Sequence, residues 1–315
     1  MWDWIYVGLG LVILLLAGDS LVKGAVNMSL RLGVPALIVS LTIVAFGTSA
    51  PELLISIQAI EDGVPGLALG NVIGSNTANV LLVLGIPALL AAMHTSDCDT
   101  RVSYVQMLAA TFLFIGLCFW GPLTWVSGII LLAALAAMLT YAAMSASRHR
   151  KGDIAEDDEE IEGADPDLGW GKIVFFLVLG LIGLPLGANL LVDGAVNIAR
   201  DFNIDETVIG LTLVAIGTSL PELATTVMAA LRRQADVALG NVIGSNMFNL
   251  LGIMGVAALV GQIPIDPDVL EFDLWVMLGA SLFLVPFVFF KKDITQAAGV
   301  VLTALYVAYI VFVLA

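Results

Sequence analysis

Charge is something this chain has little of: 12% of its 315 residues are Asp, Glu, Lys or Arg, where soluble domains carry roughly a quarter. Histidine and cysteine are rarer still, at two each. Cys98 and Cys118 are too few for a disulfide framework, and Cys118 lies within an apolar run, where packing is its expected role. His94 and His149 stand alone, with no zinc-type spacing. The start, MWDWIYVGLG, lacks a basic region and a small-residue cleavage pattern, so it reads as a first span and not as a removable signal. No Walker-type glycine loop, no nucleophile–base constellation and no basic-aromatic surface appears. These absences argue against an enzyme, a nucleic-acid binder and any resident cofactor.

What is abundant is apolar length. The chain is 60% hydrophobic, with a mean hydropathy of +1.02. A helix that crosses a bilayer needs about 20 such residues. Ten spans are expected, at 4–30, 35–60, 67–93, 104–120, 123–146, 171–199, 206–231, 237–260, 272–290 and 295–314. The fold class is therefore an all-α integral membrane protein of the cell membrane.

The basic residues set the expected orientation. Arg31, Arg101, Arg148, Arg150, Lys151, Arg232, Arg233, Lys291 and Lys292 follow odd-numbered spans, and Lys172 opens span six on that same side. Arg200 falls opposite and Lys23 lies within span one. The positive-inside rule then puts both termini outside and the loops after odd spans in the cytoplasm. Asp266, Asp268, Glu271 and Asp273 fall on the outer face, as a cation vestibule or simply as a solvated acidic loop.

The sequence also repeats itself. Thr42–Gln58, TIVAFGTSAPELLISIQ, returns as Thr212–Met228, TLVAIGTSLPELATTVM, 170 residues later without a gap. GAVN recurs at Gly24–Asn27 and Gly194–Asn197, and GNVIGSN at Gly70–Asn76 and Gly240–Asn246. The domain reading is a first repeat at 1–146, an acidic cytoplasmic loop at 147–170 and a second repeat at 171–315. Each copy holds five spans, an odd number, so the copies must lie inverted relative to one another, an arrangement typical of secondary transporters.

Each copy buries a carboxylate, Glu52 or Glu222, one residue after a proline. An intramembrane Glu is expensive and by default marks a functional site. Pro51 and Pro221 lack an amide hydrogen and should break the helix, aided by Gly47 and Gly217. Freed carbonyls near Ala45–Thr48 are tolerated at membrane depth only where they line a cavity or find other partners. Asn71, Ser75 and Asn79 share one helical face, as do Asn241, Ser245 and Asn249, with Asn76 and Asn246 close by. Gly70 with Gly74, and Gly240 with Gly244, would serve as helix-packing contacts. In span one, Asp19 and Lys23 can pair at i, i+4; Lys23 could instead reach Asp193 across the pseudo-twofold, line a cavity or snorkel.

An all-oxygen cluster built on two carboxylates suits a hard cation such as Ca²⁺, which takes six to eight oxygens. Sodium ions can use the same oxygens, and burial should let protons compete at low pH. GTSAPE with GNVIGSNTAN, and GTSLPE with GNVIGSNMFN, resemble the repeats of the Ca²⁺/cation antiporter superfamily, in its sodium/calcium exchanger branch. The resemblance implies that Glu52 and Glu222, with the Thr48 and Thr218 carbonyls, hold Ca²⁺. It implies one Na⁺ site of Ser49, Ser75 and the Ala45 carbonyl with Glu52. Ser219, Ser245 and the Ala215 carbonyl would form the other with Glu222. Asn79 and Asn249 would sit centrally, and spans one and six would slide as a pair over an eight-helix core. Relatives often have Asp at one or both asparagine positions; two Asn here argue against potassium co-transport. The expected partners are Ca²⁺, Na⁺, competing H⁺ and the lipid bilayer, in a chain able to act as a monomer. A proton-coupled or other divalent-cation exchanger on the same fold, a passive channel and a membrane enzyme are the competing readings.

The orientation is testable in intact cells, in a background with Cys98 and Cys118 replaced by alanine. A membrane-impermeant thiol reagent should label Asp268→Cys and leave Arg233→Cys unlabelled; the reverse pattern inverts the assignment.

Overall fold

The computed structural model describes residues 2–149, 165, 167–202 and 215–314. Most of the acidic loop, and residues 203–214 with the first nine positions of the expected seventh span, lie outside the described residues. Among the described residues the chain is helical, with two isolated bridges in place of strands.

In chain order the helices are α1 (Trp2–Leu32), α2 (Ala36–Thr48), α3 (Ala50–Glu61), α4 (Pro65–Leu90), α5 (Arg101–Trp120) and α6 (Trp125–His149). They continue as α7 (Trp170–Asp201), α8 (Ala215–Thr218), α9 (Leu220–Leu231), α10 (Ala235–Val260), α11 (Val269–Phe289) and α12 (Gln296–Leu314). Among the described residues eight helices are long and apolar enough to cross a membrane, or nine if α2 and α3 count as one bent span. The α9 helix lies within the seventh expected span. It has twelve residues, too few to cross by itself.

The breaks fall where proline predicts them. The α2 and α3 axes bend by 42°, at Ser49, whose backbone sits at φ −85°, ψ 6°. Ser219, between α8 and α9, has φ −86°, ψ 2°. Pro51 and Pro221 occupy the first turn of the following helix, where a missing amide hydrogen costs little. The break is milder than expected at one carbonyl. That of Ala45 still accepts the Ser49 amide at 3.1 Å, and the Thr48 hydroxyl lies 3.3 Å away.

Helices α4 and α10, which carry the Asn-Ser-Asn stripes, form the centre: 83% of the apolar window of each is buried, against 17% for α6 and α12. The outer helices thus meet lipid, as scaffold should. Two bridges stitch the repeats together. Met93 pairs with Ile294, and Leu123 pairs with Ile263. Met93 and Ile263 are 170 residues apart, so equivalent positions of the two copies each grip the other copy. Beside the first bridge, the Ser96 amide donates to Asp293 at 3.1 Å and holds that carboxyl below its usual range, aided by His94 at 3.0 Å.

Helices α1 and α7 lie together along most of their length, and glycine makes this possible. A Cβ on Gly187 would stand 2.9 Å from the Leu14 amide nitrogen, and one on Gly10 2.6 Å from that of Leu191. In lipid, close backbone approach is a principal source of helix affinity. Asp19 of α1 pairs with Lys23 at 3.1 Å, as the spacing predicts, and also with Arg232, just beyond α9. Asp193 is exposed, and the alternative Lys23–Asp193 pair is not formed. The two GxxxG segments differ. Gly240 and Gly244 press on the α2 backbone, at the Leu37 and Leu41 carbonyls, with no room for a side chain, whereas Gly70 and Gly74 line a cavity.

Replacing Gly187 with leucine should therefore destabilise the protein by about 1–3 kcal/mol through overpacking. A lowered Tm of purified protein in detergent checks this. Gly8→Leu on α1, where nothing lies within 4 Å, should leave the Tm close to its starting value.

Candidate cation-binding centre

Proline breaks place the Glu-bearing first turns of α3 and α9 deep in the bundle, against the stripes of α4 and α10. Glu52 and Glu222 are each 1% exposed. Thr48, Ser49, Ser75, Asn79, Thr218, Ser219, Ser245, Asn249 and Ala45 are buried as well, and Ala215 is the first residue of α8.

The two half-sites interlock. The Ser49 hydroxyl donates to Glu222 Oε1 at 3.1 Å, across the repeats and not to Glu52 of its own copy. The Thr48 hydroxyl lies 3.3 Å from Asn241 Oδ1 and 3.5 Å from Ser245 Oγ. Asn241 Nδ2 donates to the Glu222 backbone carbonyl at 3.3 Å and to Thr226 Oγ1 at 3.2 Å. The first copy makes the equivalent of the latter bond, Asn71 Nδ2 to Ser56 Oγ at 3.4 Å. Ser56 and Thr226 escaped the sequence reading. Their signal was a hydroxyl residue four positions after each Glu.

Several buried oxygens find no donor among the described residues. They include Glu52 Oε2, Glu222 Oε2, Asn79 Oδ1, Asn249 Oδ1, Asn76 Oδ1 and Ser219 Oγ. Each unsatisfied buried polar group costs about 1–3 kcal/mol, and more if charged. So many such oxygens, drawn from both copies around two carboxylates, form a concentration of negative potential that a bound cation would offset. The donor set contains carboxylate, hydroxyl and amide oxygen, which suits hard cations.

A cavity of about 390 Å³ reaches this region, lined by Gly70, Asn71, Ser75, Thr218, Asp273 and Tyr309 among others. It joins Asp273 of α11 to the α4 stripe.

Comparison with known proteins fits this geometry. The model of a family described as sodium/calcium exchanger protein matches residues 2–144 and 172–315. A sodium/calcium exchanger of Methanosarcina acetivorans is 36% identical, over 96% of each chain. A putative antiporter of Alkalimonas amylolytica is 37% identical, over 89% of this chain and 88% of that one. Among solved structures, the sodium-calcium exchanger NCX_Mj soaked with zero Na⁺ and Ca²⁺ superposes with a TM-score of 0.83 at 31% identity. The match covers 99% of this chain and 98% of that chain.

Removing either charge should weaken the centre without collapsing it, because Gln keeps the shape. Glu52→Gln and Glu222→Gln are each expected to raise the Kd for ⁴⁵Ca²⁺ at least about tenfold, or 1.4 kcal/mol, in equilibrium binding to purified protein. Unchanged binding in both would remove the two carboxylates from the site.

Proposed function

The chain belongs to the sodium/calcium exchanger protein family, and we propose that it is a secondary antiporter that exchanges Ca²⁺ for Na⁺ across the cell membrane by alternating access. The observation that carries this reading is the set of unpartnered oxygens at two equivalent helix breaks. One Ca²⁺ neutralises the Glu52–Glu222 pair, and several Na⁺ ions do the same in its place. Either load permits occlusion, whereas the bare pair is too costly to enclose.

In this reading the ten spans form two inverted five-helix repeats, 1–146 and 171–315, joined by a cytoplasmic loop at 147–170, with both termini outside. The reciprocal Met93–Ile294 and Leu123–Ile263 bridges support the inversion. Glu52, Glu222 and the carbonyls of Thr48 and Thr218 hold Ca²⁺, with Asn79 and Asn249 at the centre. Ser49, Ser75 and the Ala45 carbonyl serve one flanking Na⁺, while Ser219, Ser245 and the Ala215 carbonyl serve the other. Because Ser49 donates to Glu222, the first flanking site draws on both copies. The cavity beside Asp273 offers cations an approach from the outer face.

Helices α1 and α7, packed backbone to backbone, move as one body across the remainder. Gly18 of α1 rides on the Ala224 carbonyl of α9, where a Cβ would come within 2.9 Å, and Asp19 links the pair to Arg232.

In proteoliposomes, an outward Na⁺ gradient should drive ⁴⁵Ca²⁺ uptake, and a pH gradient alone should not. If more than two Na⁺ exchange per Ca²⁺, a valinomycin-set potential should change the rate, since each net charge contributes about 2.3 kcal/mol per 100 mV. Uptake that follows the pH gradient and ignores sodium would replace this reading with proton coupling.

A further inference from the structure

Asn76 and Asn79 on α4, and Asn246 and Asn249 on α10, occupy equivalent places in the two copies but are not used symmetrically. Asn79 Nδ2 donates to Asn246 Oδ1 at 3.0 Å, across the repeats. Asn246 is itself oriented: its Nδ2 donates to the Asn76 backbone carbonyl at 3.4 Å and lies 3.8 Å from Met107 Sδ. The amide of Asn246 must therefore present oxygen to Asn79. Asn79 must present nitrogen to Asn246, and its own Oδ1 is left buried and without a donor.

The equivalent bond in the other direction would join Asn249 to Asn76, 170 residues removed from Asn79 and Asn246 respectively. It is not made. Asn249 Nδ2 and Asn76 Oδ1, the two atoms that would form it, are both buried and unpartnered. The backbone also differs between the two positions. Asn79 lies in regular α-helix, whereas Asn249 falls in a π-helical turn, Phe248–Ile253. A π turn inserts a residue and rotates the helix beyond it, and such turns are frequent at functional sites.

We propose that Asn246 is a positioning residue for the transported cation: it fixes the Asn79 amide so that carbonyl oxygen, and not the N–H₂ group, faces the ion. This rests on the cation-exchange reading above. An Asn79 side chain free to turn over would have to be held with its oxygen inward by the cation alone. The reciprocal pair at Asn76 and Asn249 is open in this structure, so only one of the two central amides is locked.

A double-substitution cycle tests the assignment, read by equilibrium ⁴⁵Ca²⁺ binding to the full-length protein in detergent without sodium. Asn79→Ala should weaken binding about tenfold by removing the oxygen, and Asn246→Leu about tenfold by releasing it. The double variant should be no more than about twofold weaker than Asn79→Ala alone, because Asn246 acts through Asn79. Additive losses, about a hundredfold together, would overturn the proposal, since a merely structural role predicts independence. Asn246→Asp keeps an acceptor for Asn79 and should bind at least as tightly as the unaltered protein. A tenfold loss there would also overturn it, even if Asn246→Leu fails to fold. Failure of the unaltered protein to bind calcium removes the calcium reading and this assignment with it; additivity in a protein that does bind removes this assignment alone.

Discussion

Two carboxylates buried in a bundle that lies in hydrocarbon set the terms for everything else. Glu52 and Glu222 are each almost fully enclosed, and each keeps an oxygen without a donor among the described residues. Transferring such a charge from water to a low-dielectric medium is among the largest single costs a fold can carry. The architecture meets it in part. Ser49 donates to Glu222 Oε1, and the first turns of α3 and α9 turn their positive dipole ends toward the carboxylates. The remainder of the demand falls on a mobile positive charge from outside the chain.

From that demand come the roles of the other elements. The proline breaks bring helix starts into the interior of the bundle, which unbroken spans could not do. The stripes of α4 and α10 occupy the most buried part of the bundle because their amides and hydroxyls can be satisfied only there. The glycine-packed α1/α7 pair joins the rest through small residues and one ion-pair cluster, Asp19 with Lys23 and Arg232. That is a seam suited to sliding. The bridges at Met93–Ile294 and Leu123–Ile263 instead fasten the two copies to each other within the remaining block.

Much of this was legible in the residues. The spans were readable because lipid demands long apolar runs. The breaks were readable because proline and glycine act locally. The two buried carboxylates were readable because a Glu in an apolar run is too costly to keep for packing alone. What the sequence hid was pairing between copies. Ser49 stands three residues from Glu52, yet its hydroxyl serves Glu222, 173 positions away. Arg232 reaches Asp19 over 213 positions, and no local pattern announces it. The glycines of GNVIGSN are the same in both copies. Only the structure shows Gly240 and Gly244 pressed on α2 while Gly70 and Gly74 border a cavity. The π turn at Phe248–Ile253 was likewise invisible, since TANVLLVLG and MFNLLGIMG both read as plain helix.

The crossed pairing has a historical corollary. Ser49 with Glu222, Thr48 with Asn241 and Asn79 with Asn246 each join one copy to the other, so neither half encloses a working pocket by itself. A duplicated ancestor of single length could have made these contacts only between two chains. After fusion, a change in one half alters the surroundings of the other, so the halves cannot drift apart independently.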